Sequence, residues 1–340
     1  MNRMHLSRIG VIDDMKQFRK ILYVLGLILL LLGVLFITIL IDMPVELPDP
    51  AFEQAVREEL NHFYKPLYKS QLLTIVELDL SNRAIESISG IGYFRNLEVL
   101  NLRDNKLIDV GALSSLSQLQ KLDLGYNRIV DLEESNFDKL RNLPLVHLNL
   151  DHNLTAVDDH SDMRLRDIIL IKNFKSLESF SAVDNHITDI SPVGDLNNLI
   201  YLNLRENQID DISELKALDS LEYLNLHSNP KIKDVSAIGH LVNLQTLILR
   251  NVPIGDQISS FTNLKKLQRL NIRNCGVRDI SVLAQIMGAG ALQDDPDKDQ
   301  FAYLDILENP LPNDPSQLRI LSPYWDKIHT KYPIEINDSI

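Results

Sequence analysis

Four groups of residues in this 340-residue chain carry side chains able to do chemistry. Asp158-Asp159-His160-Ser161-Asp162 gathers carboxylates, an imidazole and a hydroxyl, the parts of a proton-transfer or nucleophilic centre. Asp295-Pro296-Asp297-Lys298-Asp299 has the D-x-D-x-D spacing of a calcium loop. Asn153-Leu154-Thr155 matches a glycosylation acceptor. Finally, Arg205, His227, Arg250 and Arg273 recur at intervals of 22, 23 and 23 residues, and Tyr201, Tyr223, Thr246 and Arg269 each stand four residues ahead of them.

The first three weaken on inspection. Sequence neighbours on one loop seldom assemble a catalytic constellation, and the chain offers no nucleophile motif, no oxyanion-hole motif and no phosphate-cradling glycine loop. The calcium-like loop has Gln300 where the turn needs glycine and Ile306 where the bidentate glutamate belongs. No catalysis, metal or cofactor is therefore expected. The glycosylation match falls on a position that the repeat described next places in the interior. Recognition by the fourth group remains.

Its spacing belongs to the elements that carry it. Leu199-Ile-Tyr-Leu202-Asn-Leu204-Arg-Glu-Asn207 recurs 22 residues on as Leu221-Glu-Tyr-Leu224-Asn-Leu226-His-Ser-Asn229. L-x-x-L-x-L-x-x-N at a fixed period is the pattern of a leucine-rich repeat. Leu202 and Leu204 lie two apart on a short strand and share one face, so Tyr201, Asn203 and Arg205 take the other. Stacked turns fuse the leucines into a core that no single turn could bury. Each Asn enters a turn where its amide can satisfy backbone groups of its own and the adjacent repeat. Aligned on the L-x-L pair, these ladder positions are Arg83, Asn105, Asn127, Asn153, Asn185, Asn207, Asn229, Val252, Cys275 and Asn309, which makes ten turns. Asp109, Asp131, Asp189, Asp211, Asp234, Asp256 and Asp279 follow, suited to opening the convex segment with an Asx-type turn. The gaps 153–185 and 275–309 exceed the period by ten and twelve residues, so the extra chain should leave the stack as loops at 154–176 and 286–302. Val252 cannot hydrogen-bond with its side chain and should mark a weaker joint.

Residues 1–20 form a basic leader, and 21–41 hold no charge over a length that spans a bilayer core of roughly 30 Å. The first 42 residues sum to +2 and the rest to −15, so the predicted arrangement is a single-pass plasma-membrane anchor with a cytoplasmic N-terminus and extracytoplasmic repeats. A linker is expected at 42–48 and a helical cap at 49–72, opened by Asp49-Pro50 as N-cap and first helical residue, with Phe52, Val56 and Leu60 on one face. Repeats follow at 73–309 and a second cap at 310–340, with a helix over 317–331 and a short strand at Ile334 and Ile336. The fold expected is an α/β solenoid, a horseshoe with a parallel concave sheet. One cysteine excludes an intrachain disulfide framework, and the net charge of −13 argues against nonspecific nucleic-acid binding.

The I-x-D-I/V turns, as in Ile187-Thr-Asp189-Ile190-Ser-Pro192-Val193 and Ile209-Asp-Asp211-Ile212, resemble the 22-residue bacterial leucine-rich repeats of the internalin type. So do the entry at 47–60 (LPDPAFEQAVREEL) and the first turn at 78–85 (LDLSNRAI). The resemblance covers about residues 47–320. It implies protein recognition through the concave sheet, sometimes adhesion to host cells, and names no ligand. The sortase-type L-P-x-T-G motif of surface-anchored members does not occur in the sequence.

The outward residue after each second leucine is Arg103 in the second turn, then Arg205, His227, Arg250 and Arg273 in four successive turns. Strands about 4.8 Å apart would set those four in a column roughly 14 Å long, beside Tyr201, Tyr223, Thr246 and Arg269. Arginine and tyrosine are the types enriched in interface hot spots. The partner-binding set is thus Tyr201, Arg205, Tyr223, His227, Arg250, Arg269 and Arg273, the partner a protein with acidic surface or else a glycan. The competing reading pairs each arginine with an acidic neighbour such as Glu206 and leaves a structural spacer with no ligand.

Overall fold

A computed structural model describes residues 18–35, 43–158, 161–294, 301–311 and 319–327, the side chains of 156–162 and 325–327 excepted. Ten three-residue strands form one parallel sheet: β1 (Glu77–Asp79), β2 (Val99–Asn101), β3 (Lys121–Asp123), β4 (His147–Asn149), β7 (Ser179–Ser181), β8 (Tyr201–Asn203), β9 (Tyr223–Asn225), β10 (Thr246–Ile248), β11 (Arg269–Asn271) and β12 (Tyr303–Asp305). The order follows the chain, each strand beside the next, with central leucines in register such as Leu202 with Leu224 and Leu224 with Leu247. This is the leucine-rich repeat solenoid. Short 3-10 helices such as Ser191–Asp195 and Ser213–Ala217 line the opposite side. Between the layers the two inward residues of each turn are buried, leucines in most turns and Phe180 with Ala182 in one, and Phe94, Phe137 and Phe261 fill the interior with them.

The asparagine ladder works as the spacing requires. Asn207 Nδ2 donates to Ala182 O of the previous turn and to Leu204 O of its own, and its Oδ1 accepts from Ile187 N. Asn105, Asn127, Asn153, Asn185, Asn229 and Asn309 repeat the scheme. Cys275 substitutes its Sγ, donating to Leu249 O at 3.0 Å, and burial pushes this thiol up to about 12. Val252 is buried without a polar atom, and the preceding 23-residue turn closes on itself instead, Ile232 N donating to Asn229 O. Arg83, with no repeat before it, reaches the cap and pairs with Glu58 at 2.6 Å.

One residue before each ladder position the backbone turns left-handed. Asn82, Asp104, Tyr126, His152, Asp184, Glu206, Ser228, Asn251, Asn274 and Glu308 all have φ between 50° and 60°, and none is glycine. Each of the first nine donates its N–H to the carbonyl of the next turn's column residue, as Glu206 does to His227, so the ladder runs one step past the strands. The aspartates that follow accept from the amide two residues on: Asp109, Asp131, Asp189, Asp211, Asp234 and Asp279 do so, and Asp167 as well. Asp256 instead lies inside a longer 3-10 helix, Gly255–Asn263.

Helix α1 spans Phe18–Leu35, long and apolar enough to cross a membrane. Its described part already includes Arg19 and Lys20 ahead of the uncharged run, because both are good helix formers and charge does not end a helix. Residues 36–41 of the expected span, and the leader 1–17, lie outside the described residues. The cap helix α2 (Pro50–Glu59) is N-capped by Asp49, whose Oδ1 accepts from Phe52 N while Oδ2 accepts from Glu86 and Ser87 N, fastening the cap to the first repeat. The segment read as a linker is part of this cap: Val45 N donates to Leu67 O just ahead of the short α3 (Lys69–Leu72), and Leu47 is buried.

The first over-long gap is more ordered than a loop, and the second opens with a helix ahead of the expected loop. The first carries an antiparallel hairpin, β5 (Leu154–Asp158) with β6 (Ser161–Arg164), and the second a helix, α4 (Ser281–Gly288), in place of a 3-10 turn. At the far end Leu321 is buried, but Ser322–Lys327 is a 3-10 helix rather than part of an α-helix over 317–331. Pro323 lacks the N–H that the longer helix would need. The strand expected at Ile334 and Ile336 and the Asp295–Asp299 loop lie outside the described residues.

Candidate concave-face binding site

The strand register sets Tyr201, Tyr223, Thr246, Arg269 and Tyr303 side by side. Tyr201 and Tyr223 stack at 4.3 Å between ring centres with planes 14° apart, and the Arg269 guanidinium stands 5.5 Å over the Tyr303 ring. Burial, then the neighbouring Tyr223, pushes the Tyr201 phenol up to about 12. Here is an aromatic shelf with a cation at its far end.

Beside it run Arg205, His227, Arg250 and Arg273, joined by the ladder bonds Glu206 N to His227 O, Ser228 N to Arg250 O and Asn251 N to Arg273 O. The ends of this column are neutralised. Arg205 pairs with Glu206 at 2.9 Å, and Arg273 pairs with Glu308. Both glutamates occupy the left-handed position, which aims them along the edge of the sheet. In the middle the Arg250 Nε is buried without a hydrogen-bond partner. Burial, then the adjacent Arg205 and Arg250, holds the His227 imidazole below its ordinary range. The column thus sets a buried arginine beside an imidazole whose charged form its surroundings disfavour.

The other half of the sheet behaves differently. An open cavity of about 430 Å³ crosses β2 to β8, lined among others by Asp123, His147, Asn149, Asp151 and Tyr201. Arg103, the isolated early member of the column, lies 3.8 Å from Asp123 and 4.0 Å from Asp151. Gly125 makes room for it, since a Cβ there would stand 2.7 Å from Arg103 Nη1. Burial raises the Asp123 carboxyl, with Asp151 and Asp79 adding to the effect, and burial with Lys121 lowers His147. Arg103 also covers the Tyr126 ring at 4.4 Å, Tyr126 stacks on His152 at 4.5 Å, His152 bonds Asp184, and Asp184 pairs with Arg164 of the hairpin at 2.6 Å. Arg164 and His152 hold the Asp184 carboxyl below its ordinary range against the effect of burial.

This relay from sheet to hairpin was missed in the sequence. Its signal is the left-handed position, where Tyr126 and His152 stand in unfavourable backbone for their size. Asn153 is fully buried and bonds backbone on both sides, which leaves no room for a glycan. The side chains of Asp158, Asp159, His160 and Asp162 lie outside the described ones.

Family models described as leucine-rich repeats match residues 74–129 and 95–155, and again 175–217 and 197–240. An internalin (inlF) of Listeria monocytogenes superposes with a TM-score of 0.63 at 25% identity, over 85% of this chain and 91% of that one. A second internalin from that species gives 0.57 at 27% identity, over 66% and 95%. A TDR receptor shares the fold alone, at 20% identity and a TM-score of 0.52. In sequence, the rat leucine-rich repeat-containing G-protein coupled receptor 5 is 32% identical over 133 residues, 38% of this chain but only 13% of the receptor.

Proposed function

For a leucine-rich repeat chain of internalin-like fold, we propose a non-catalytic ectodomain, tethered by α1, that binds an acidic protein partner through the concave face of β8 to β11. Leucine-rich repeat proteins, internalins and receptors among them, serve as protein-binding scaffolds, and this chain shares their sheet. The observation that carries the reading is the run Arg205–His227–Arg250–Arg273 beside the stacked tyrosines, a concentration of positive charge on a body of net charge −15 beyond residue 42. Such a field steers an acidic partner and fades with added salt. The apolar length of α1 supports the tether, and the basic residues preceding it support the orientation.

Partner capture by crosslinking in intact cells tests the site. The triple variant Arg205→Glu, Arg250→Glu, Arg273→Glu should lose the partner recovered with the native chain while melting at nearly the same temperature. Unchanged capture would remove the site from this surface. Protease added to spheroplasts should digest the repeats, and a fully protected C-terminal tag would refute the orientation. The pairing of Arg205 and Arg273 with glutamates favours a second reading, a spacer whose charges are internally satisfied. Under it the triple variant costs stability and changes no interaction. A glycan stacked on Tyr201 and Tyr223 would instead survive the charge reversal.

A further inference from the structure

The four members of the basic column are not equivalent. Arg205 spends its charge on Glu206 and Arg273 on Glu308. Between them, His227 and Arg250 belong to adjacent turns, and their left-handed neighbours are Ser228 and Asn251, which carry no charge. Among the described residues no carboxylate lies within ion-pair distance of Arg250, and its buried Nε has no acceptor. A buried guanidinium nitrogen without an acceptor is costly, and so is an imidazole flanked by two arginines. One anion placed between the two side chains would relieve both.

We infer that a single carboxylate of the partner, an aspartate or glutamate side chain, seats between His227 and Arg250, and that His227 takes up one proton as it does. This rests on the reading of the concave face as a binding surface. The charged groups acting on the imidazole are Arg205 from one neighbouring turn, Arg250 from the other, and Glu206 at the edge. In the free protein burial and the two arginines hold the His227 imidazole below its ordinary range, and Glu206 opposes them. A carboxylate at hydrogen-bond distance reverses that balance, so a solvent proton moves onto an imidazole nitrogen and no covalent bond forms. The sign follows. The bound state holds more protons than the free one, so affinity rises as pH falls between the bound and free values of the imidazole. Tyr223 and Thr246 of the same two turns form the wall beside the seat.

Hexaglutamate is the probe, with hexalysine as control, titrated calorimetrically into the full chain in detergent micelles at pH 8, 7 and 6, in buffers of differing ionisation enthalpy. Glutamate side chains stay ionised throughout that range. Hexaglutamate should bind more tightly as the pH falls, with net proton uptake on binding. His227→Gln should keep binding but flatten the pH profile, and Arg250→Gln should lose about tenfold, the worth of a charged hydrogen bond. Both variants should melt like the parent. Binding without proton uptake, binding indifferent to Arg250→Gln, or no binding of hexaglutamate would overturn the inference. Hexaglutamate binding lost on replacing Arg205 and Arg273 but kept in Arg250→Gln would also overturn it, while the concave-face reading stood. Only retained partner capture by the charge-reversed triple variant removes that reading.

Discussion

The two halves of the concave sheet solve opposite problems. From β1 to β4 and β7, charges of both signs interleave, and Arg103 sits between Asp123 and Asp151 while Asp184 holds the hairpin through Arg164. From β8 to β11 one sign dominates, and among the described residues the histidine and arginine in the middle of the column feel Glu206 and Glu308 without an ion pair to either. The ladder underneath changes with it. Asparagine is unbroken from Asn105 to Asn229, then gives way to Val252 and Cys275. One half is satisfied by its own residues. The other pairs only its outer arginines and leaves the middle of its column without an ion pair.

The largest effect that could break this contrast lies in the ladder. Asn127→Leu strands Leu107 N and the carbonyls of Leu102 and Leu124, buried groups worth about 1–3 kcal/mol each. A loss of about 3–4 kcal/mol in a denaturant melt is expected. Val252→Leu should cost only about 1–2 kcal/mol, from crowding. Equal losses would mean that the lapse at Val252 is not a different kind of joint. The next effect is a matter of sign. Arg103→Gln leaves Asp123 and Asp151 facing each other and should lower stability by up to about 1 kcal/mol, whereas Arg250→Gln removes a guanidinium whose buried Nε has no acceptor and should leave melting unchanged or raise it slightly. Two losses of the same size would show that both halves use their arginines alike. The smallest effect concerns the hairpin. Asp184→Asn should cost less than about 1 kcal/mol at neutral pH. The native Asp184 carboxyl is depressed, so its contribution is present above the ordinary carboxylate value and fades as pH falls through the depressed one. Melting curves of the two proteins should therefore converge in acid; a constant gap would mean the relay is not electrostatic.

The sequence made the solenoid, its register and its ladder legible because these rest on period and residue type. Leu202, Leu204 and Asn207 can be placed from spacing alone, and so can the side-by-side order of Tyr201 with Tyr223. The partners of the column were not legible. Whether Arg250 meets a carboxylate depends on the reach of Glu206 and Glu308 across neighbouring turns, a matter of side-chain direction rather than period. The relay Tyr126–His152–Asp184–Arg164 needed the hairpin, and an antiparallel pair hidden in a ten-residue excess has no repeat to announce it. The capping of α2 by Asp49 was readable because it is local. The break at Pro323 was readable too, from the missing N–H, yet apolar periodicity across 317–331 masked it.

The row of left-handed residues has a consequence for how such a surface can change. Glycine is the residue this backbone prefers, yet ten turns carry asparagine, aspartate, tyrosine, histidine, glutamate or serine there. Each bears a conformational penalty on the order of 1 kcal/mol. What these positions supply is a movable edge: their main-chain N–H keeps the sheet together whatever the side chain is, so the side chain is free to vary. Exchanging Glu206 or Glu308 for glycine should tighten the backbone and bare an arginine in one step, turning an internally cancelled surface into an exposed one. A lineage built on this scaffold could therefore redraw what it recognises by editing its rim, one turn at a time, while the core and ladder beneath never need to move.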